Sequence, residues 1–149
     1  MYAHGGGACT LSALDCIDEC HRYAIDWNCI CFSVDYRKGP EVLAPRGQLD
    51  FMEALDLIAV NSETYSLDKD KICIGGRDGG GWICMGACIQ YIDINKTNPA
   101  KCQFLISPMV FEALPNTPDS DLEPWEMLFK SQTKHEFYEL LTQEIEDCQ

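Results

Sequence analysis

The stretch from Lys71 to Trp82 constrains this chain more than any other. Lys71-Ile72-Cys73-Ile74-Gly75 is a short apolar run that reads as a buried strand. It passes through Gly76-Arg77-Asp78-Gly79-Gly80-Gly81 into an apolar helix over 82–89. Clustered glycines at a strand-to-helix junction permit a sharp turn in which backbone meets backbone, because no Cβ stands between the two elements. Asp78, at the tip, then lies at a helix N-terminus, where partial positive charge favours a carboxylate.

The rest of the chain repeats this alternation. Over 10–25, Leu11, Leu14, Ile17, Cys20 and Ala24 recur at helical spacing. Cys29-Ile30-Cys31-Phe32-Ser33-Val34 is almost continuously apolar, as strands covered on both faces of a parallel sheet are. A turn with Gly39, Pro40 and Pro45 leads to a helix marked by Leu49, Met52, Leu55, Leu57 and Ile58. Breakers over 95–99 precede a further strand at Phe104-Leu105-Ile106. This order predicts an α/β fold, a mainly parallel sheet flanked by helices. After Pro115, Pro118 and Pro124 comes a helical pattern over 134–146, with Phe137, Leu140, Leu141 and Ile145 on one face. The expected layout is a single domain over 1–149: a sheet-and-turn core over 1–112 and a cap-like helical segment over 113–149.

Lys and Arg number 11 against 24 Asp and Glu, a formal net charge of −13. Such a charge repels phosphate backbones and argues against nucleic acid as a partner. The acidic excess near Asp119, Asp121, Glu144 and Glu146 reads as solvated surface. No apolar run approaches the ~20 residues of a bilayer-spanning helix. No basic and then apolar leader opens the sequence, so a cytoplasmic location is expected. Of the 10 cysteines, Cys29, Cys31 and Cys73 lie inside apolar strand-like runs and Cys84 and Cys88 on a helix pattern, which reads as free, apolar-packing thiols in a reducing compartment. Cys84 with Cys88, or Cys16 with Cys20 and His21, share a helix face. Without paired C-x-x-C spacing, no metal site is expected. Asn95-Lys96-Thr97 fits a glycosylation acceptor pattern and is read as incidental.

Two more motifs bear on chemistry. His4-Gly5-Gly6-Gly7 lets main-chain N–H groups converge where side chains would obstruct, a potential anion hole; taken alone it reads as a flexible turn. Asp35-Tyr36-Arg37-Lys38-Gly39-Pro40-Glu41 directly follows an apolar strand, and a pair between Arg37 and Glu41 is expected to fix the strand-to-loop turn.

In this order and context, the motifs resemble the hormone-sensitive-lipase-like esterase branch of the α/β-hydrolases. The resemblance covers 4–110. It rests on the H-G-G-G run, the D-Y-R-x-x-P-E element, the glycine-rich elbow at 76–81 and the Leu-Ile-Ser-Pro strand end at 105–108. It implies a partial α/β-hydrolase fold, no cofactor, and carboxylic-ester hydrolysis by serine, acid and histidine. It implies oxyanion donors at Gly6, Gly7 and Gly79, with His4, Gly5, Gly76, Gly80 and Gly81 shaping the turns. An ester or lipid-like small molecule would be the ligand.

The chain departs from this pattern at the chemical step. Asp78 stands where the family has its serine, Arg77 where an acidic residue is usual, and Trp82 where a polar residue is common. Gly76-Arg77-Asp78-Gly79-Gly80 also superficially fits the dehalogenases and epoxide hydrolases, whose elbow aspartate attacks an sp3 carbon. Those enzymes still need a histidine-activated water. Only His135 follows the elbow, and inside a helical pattern it reads as a surface residue. A carboxylate is a weak nucleophile toward esters, and its charge competes with an oxyanion for the same donors. The chain is therefore expected to lack ordinary esterase activity, as an incomplete or degenerate hydrolase or as a binding module on that fold. Strands on both sides of the sheet are expected to be missing, leaving edges that invite association.

Overall fold

The computed structural model describes residues 1–110, apart from 43, 96, 98 and 99. The cap-like segment expected over 113–149, its helix over 134–146 and His135 lie outside the described residues. In chain order the elements are β1 (Tyr2–Ala3), α1 (Ile17–Asp26), β2 (Ser33–Val34), α2 (Arg46–Val60), β3 (Cys73–Arg77), α3 (Gly79–Asn95) and β4 (Cys102–Ile106). The strands form one parallel sheet in the order β2-β1-β3-β4.

The chain leaves β1 toward β2, then reverses past β1 to reach β3 and β4. Right-handed crossovers in opposite directions put α1 on one face of the sheet and α2 and α3 on the other. The reversal opens a crevice beyond the carboxyl ends of β1 and β3, where ligands of open α/β sheets bind. Both glycine-rich motifs follow those two strands, so topology alone brings them together.

The α2 and α3 side holds the main core, where Phe51, Met52 and Leu55 of α2 meet Ile83, Cys84 and Ala87 of α3 over Ala3 and Ile74. The other face is aromatic. Tyr2 and Phe104 stack at 6.1 Å, and Tyr23 and Trp27 of α1 pack edge-on against Phe104. Phe104 lies over Gly75, where a Cβ would come within 2.2 Å of the ring.

Several elements differ from the sequence expectation. Strand β1 was not expected at all, because two residues are too short to carry a pattern, yet Tyr2–Ala3 pairs with both β2 and β3. Strand β3, expected over 71–75, runs over Cys73–Arg77. The helix expected over 10–25 begins later, because Ser12 and Asp15 form a capping box that starts a 3₁₀ turn, Ala13–Cys16, ahead of α1. The strand expected from Cys29 pairs only at Ser33 and Val34. Residues 28 and 29 instead finish α1: Asn28 turns left-handed at φ 47°, its amide bonds to Ile25, and the Cys29 amide bonds to Ala24. That is the double closure of a Schellman cap, and it leaves Ile30 exposed. Helix α3 begins at Gly79 rather than Trp82. Glycine is a poor helix former, but a Cβ on Gly80 would lie 2.1 Å from the Ala3 carbonyl oxygen. Close contact with β1 requires glycine there.

Among the described residues, no helix is long and apolar enough to cross a membrane.

Candidate active site

The crevice is built from two turns facing each other. After β1, Gly6 and Gly7 take φ of 99° and 61°. The Gly6 carbonyl accepts from the amides of Cys9 and Thr10, and a Cβ on Gly6 would meet the Thr10 carbonyl oxygen at 2.5 Å. Glycine is the residue that fits both this conformation and this space. The turn aims two amides inward.

After β3, the chain reverses at Asp78, which is left-handed at φ 51°. Its amide donates to the Ile106 carbonyl, and its own carbonyl accepts from Trp82 and Met109. Glycines on both sides make the turn possible: a Cβ on Gly76 would meet the Gly80 carbonyl oxygen at 2.4 Å, and one on Gly79 would meet the Ala8 nitrogen at 2.4 Å. Gly81 packs against Pro108, and Gly5 faces the Asp78 side chain.

The two turns meet at the Asp78 carboxylate. Its Oδ2 accepts from the Gly6 amide at 3.0 Å and the Gly7 amide at 2.8 Å. Charge-assisted bonds from fixed backbone donors are the strong kind. Gly79 is the first residue of α3.

The D-Y-R element supports the first turn from beneath. Buried Tyr36 donates its hydroxyl to the His4 carbonyl at 2.6 Å, and its ring stacks on the His4 ring at 4.4 Å. Burial, then the charge of Asp78, pushes the Tyr36 phenol well above its usual value, so it remains a donor. His4 is fully buried, with Nδ1 at 2.8 Å from the Gly5 carbonyl and Nε2 at 3.5 Å from Asp35. Asp35 also meets Lys38 at 3.0 Å.

Arg37 does not pair with Glu41. Its Nε and Nη2 hold Asp50 on α2, and its own amide donates to the same carboxylate at 2.9 Å. Hydrogen bonding from Arg37 keeps the Asp50 carboxyl below its usual range. Pro40 and Glu41 are exposed. Asp50 was not legible as Arg37's partner because it stands 13 residues away, among helical positions that read only as surface.

Arg77 is tied to α1. Its Nη2 lies 2.6 Å from Glu19, which also accepts from Tyr2 at 2.7 Å and Tyr23 at 2.8 Å. Burial opposes ionisation of Glu19, but the two hydroxyls and Arg77 outweigh it and lower its carboxyl. This network holds the elbow against α1, and no local pattern announced it.

No described histidine pairs with Asp78. His4 is engaged beneath the first turn, and His21 is exposed on α1. Among the described residues, no group of three or more His, Cys, Asp or Glu could hold a metal ion. A cleft of about 610 Å³ lies at the other end of the sheet, lined by Tyr23, Trp27, Phe32, Cys73 and Phe104. Neither Asp78 nor the first glycine turn borders it.

Residues 1–147 match the family described as the alpha/beta hydrolase fold. The chain belongs to the α/β-hydrolase family. Its relatives are esterases and lipases, in keeping with the hormone-sensitive-lipase-like branch. Neutral cholesterol ester hydrolase 1 of Pongo abelii is 34% identical over 124 residues, covering 79% of this chain and 30% of that protein. Carboxylesterase NlhH of Mycobacterium tuberculosis is 37% identical over 84 residues, covering 56% of this chain and 26% of that protein. Among solved structures, the thermophilic carboxylesterase EstE1 from a metagenomic library superposes with a TM-score of 0.79 at 27% identity, over 92% of this chain and 51% of that one. An esterase of Pyrobaculum calidifontis gives 0.71 at 31% identity, over 80% and 38%. The chain thus spans 20–30% of the length of the first curated relatives it matches.

Proposed function

We propose that this chain carries an ester-binding site of the esterase type that does not turn over carboxylic esters. The observation behind this reading is the pair of bonds from the Gly6 and Gly7 amides to Asp78 Oδ2, at 3.0 and 2.8 Å. In acyl transfer, such donors stabilise the oxygen that gains charge in the transition state. Here the Asp78 side chain already holds them. An ester carbonyl entering the crevice would have to displace a carboxylate that is the stronger acceptor.

The nucleophile fails for a related reason. Attack on an ester carbonyl uses a hydroxyl activated by a base, and Asp78 has no described histidine at hand. The esterase and lipase relatives support an ester or lipid-like small molecule as the ligand, and the described crevice lacks the serine chemistry to cleave it.

Hydrolysis of short- and medium-chain p-nitrophenyl esters by the purified chain tests this reading, with Asp78→Ala as the control. Both proteins are expected to match the buffer rate. Turnover by the wild-type chain that disappears in Asp78→Ala would overturn the proposal.

A further inference from the structure

We propose that Cys73 and Cys102 are a reversible oxidation site, a dithiol that closes to a disulfide at the end of the sheet remote from Asp78. The two residues are direct partners in the β3–β4 ladder, so their side chains leave the same face. Neighbouring strands run about 4.8 Å apart, inside the Cα separation of about 4.4–6.8 Å that a disulfide spans. The two Sγ atoms are 2.8 Å apart. A bond of about 2.0 Å is a small further approach, with no need to move either strand.

The surroundings assign the order of events. Cys102 is exposed and meets an oxidant from solvent, while Cys73 is partly buried at the edge of the aromatic cleft. Burial, then the neighbouring Cys102 sulfur, pushes the Cys73 thiol up to about 12, so Cys73 is not the sulfur that meets the oxidant first. Cys84 is turned to the opposite face, where its Sγ accepts from Gln103 at 3.6 Å.

The oxidant is a hydroperoxide. The Cys102 sulfur attacks the O–O bond, giving a sulfenic acid at Cys102 and one water or alcohol. The Cys73 sulfur then displaces the sulfenic hydroxyl, forming the S–S bond and releasing a second molecule as water. Two thiols lose two electrons in total, one peroxide gains them, and both thiol protons leave in the products. Exchange with an external dithiol restores the reduced pair.

The test uses the whole chain, reduced, treated with equimolar hydrogen peroxide, blocked with N-ethylmaleimide and mapped by mass spectrometry without reduction. Cys73 and Cys102 are expected to lose labelling in parallel and to appear in one linked peptide, lighter by two hydrogens. Dithiothreitol is expected to restore both. In Cys102→Ser, Cys73 is expected to stay fully labelled. In Cys73→Ser, Cys102 is expected to stop at the sulfenic acid and to take up dimedone several-fold more than in wild type. Loss of Cys102 labelling while Cys73 stays labelled in the wild-type chain would overturn the proposal. So would Cys73 oxidation that proceeds equally in Cys102→Ser.

Discussion

Asp78 holds a backbone conformation and a set of donors that a serine could also use, which makes its substitution informative. Asp78→Ser removes the carboxylate from the Gly6 and Gly7 amides and returns a hydroxyl to the elbow. A hydroxyl alone is not a catalyst, since nucleophile and base act as a unit. The variant is expected to react slowly and once with a fluorophosphonate, and to show no multiple-turnover esterase activity. Robust turnover would reveal a base that the described residues do not supply. Arg37 tests a different kind of residue. Its pairing with Asp50 is bidentate, but the guanidinium is half in solvent, with a side-chain exposure of 54%. Asp50→Asn is therefore expected to destabilise the chain by only about 1 kcal/mol in urea titrations. The double variant with Arg37→Ala should fall short of the sum of the two single ones.

At the scale of elements, α3 carries its glycines for contact rather than for flexibility. Gly80 faces the Ala3 and His4 carbonyl oxygens, with a hypothetical Cβ at 2.1 and 2.3 Å, whereas Gly86 faces a single side chain, the buried Gln48, at 3.0 Å. Alanine is the better helix former at both positions by about 1 kcal/mol, so propensity predicts two similar gains. Packing predicts a split. Gly80→Ala must push α3 away from β1 and is expected to cost about 3 kcal/mol. Gly86→Ala displaces one side chain and is expected to stay within about 1 kcal/mol of wild type. Chemical denaturation of the two variants side by side separates these outcomes, and equal effects would mean that α3 does not seat on β1.

The whole molecule should lose stability in acid. The carboxyls of Glu19, Asp35 and Asp50 are all lowered in the folded chain. A lowered folded value means that the unfolded chain binds protons first as pH falls. Stability from these groups is complete above the ordinary carboxylate range of about 4 and drains away below it, as pH passes through the folded values. Thermal melts from neutral pH down to about 3 are expected to show that decline, and Asp50→Asn should make it shallower. Some apolar side chains stand in the open: Ile25, Trp27 and Ile30 are more than half exposed, at 65%, 52% and 55%. Exposed apolar area promotes association. Size-exclusion chromatography is expected to show oligomers despite the −13 charge, and a sharp monomer peak at high concentration would contradict this.

Local rules were enough to read the alternation of strands and helices from α1 onward, the parallel sheet, and the two turns at 4–7 and 76–81, but not β1, whose two residues show no periodicity. Each depends on hydrophobic periodicity or on glycine's freedom, and both are written in neighbouring residues. Bounds shifted where a cap intervened, as at Ser12 and Asn28, because capping is decided by hydrogen bonds that periodicity does not contain. The two glycine motifs, at 4–7 and 76–81, stood apart in the sequence without showing how they meet. Only the tertiary structure decided that Asp78 receives the Gly6 and Gly7 amides across 72 and 71 residues, that Arg37 holds Asp50, and that Arg77 is anchored by Glu19. Those pairings form between elements distant in the chain, and the strand order sets them. That order places β1 beside β3 at the point where the chain reverses.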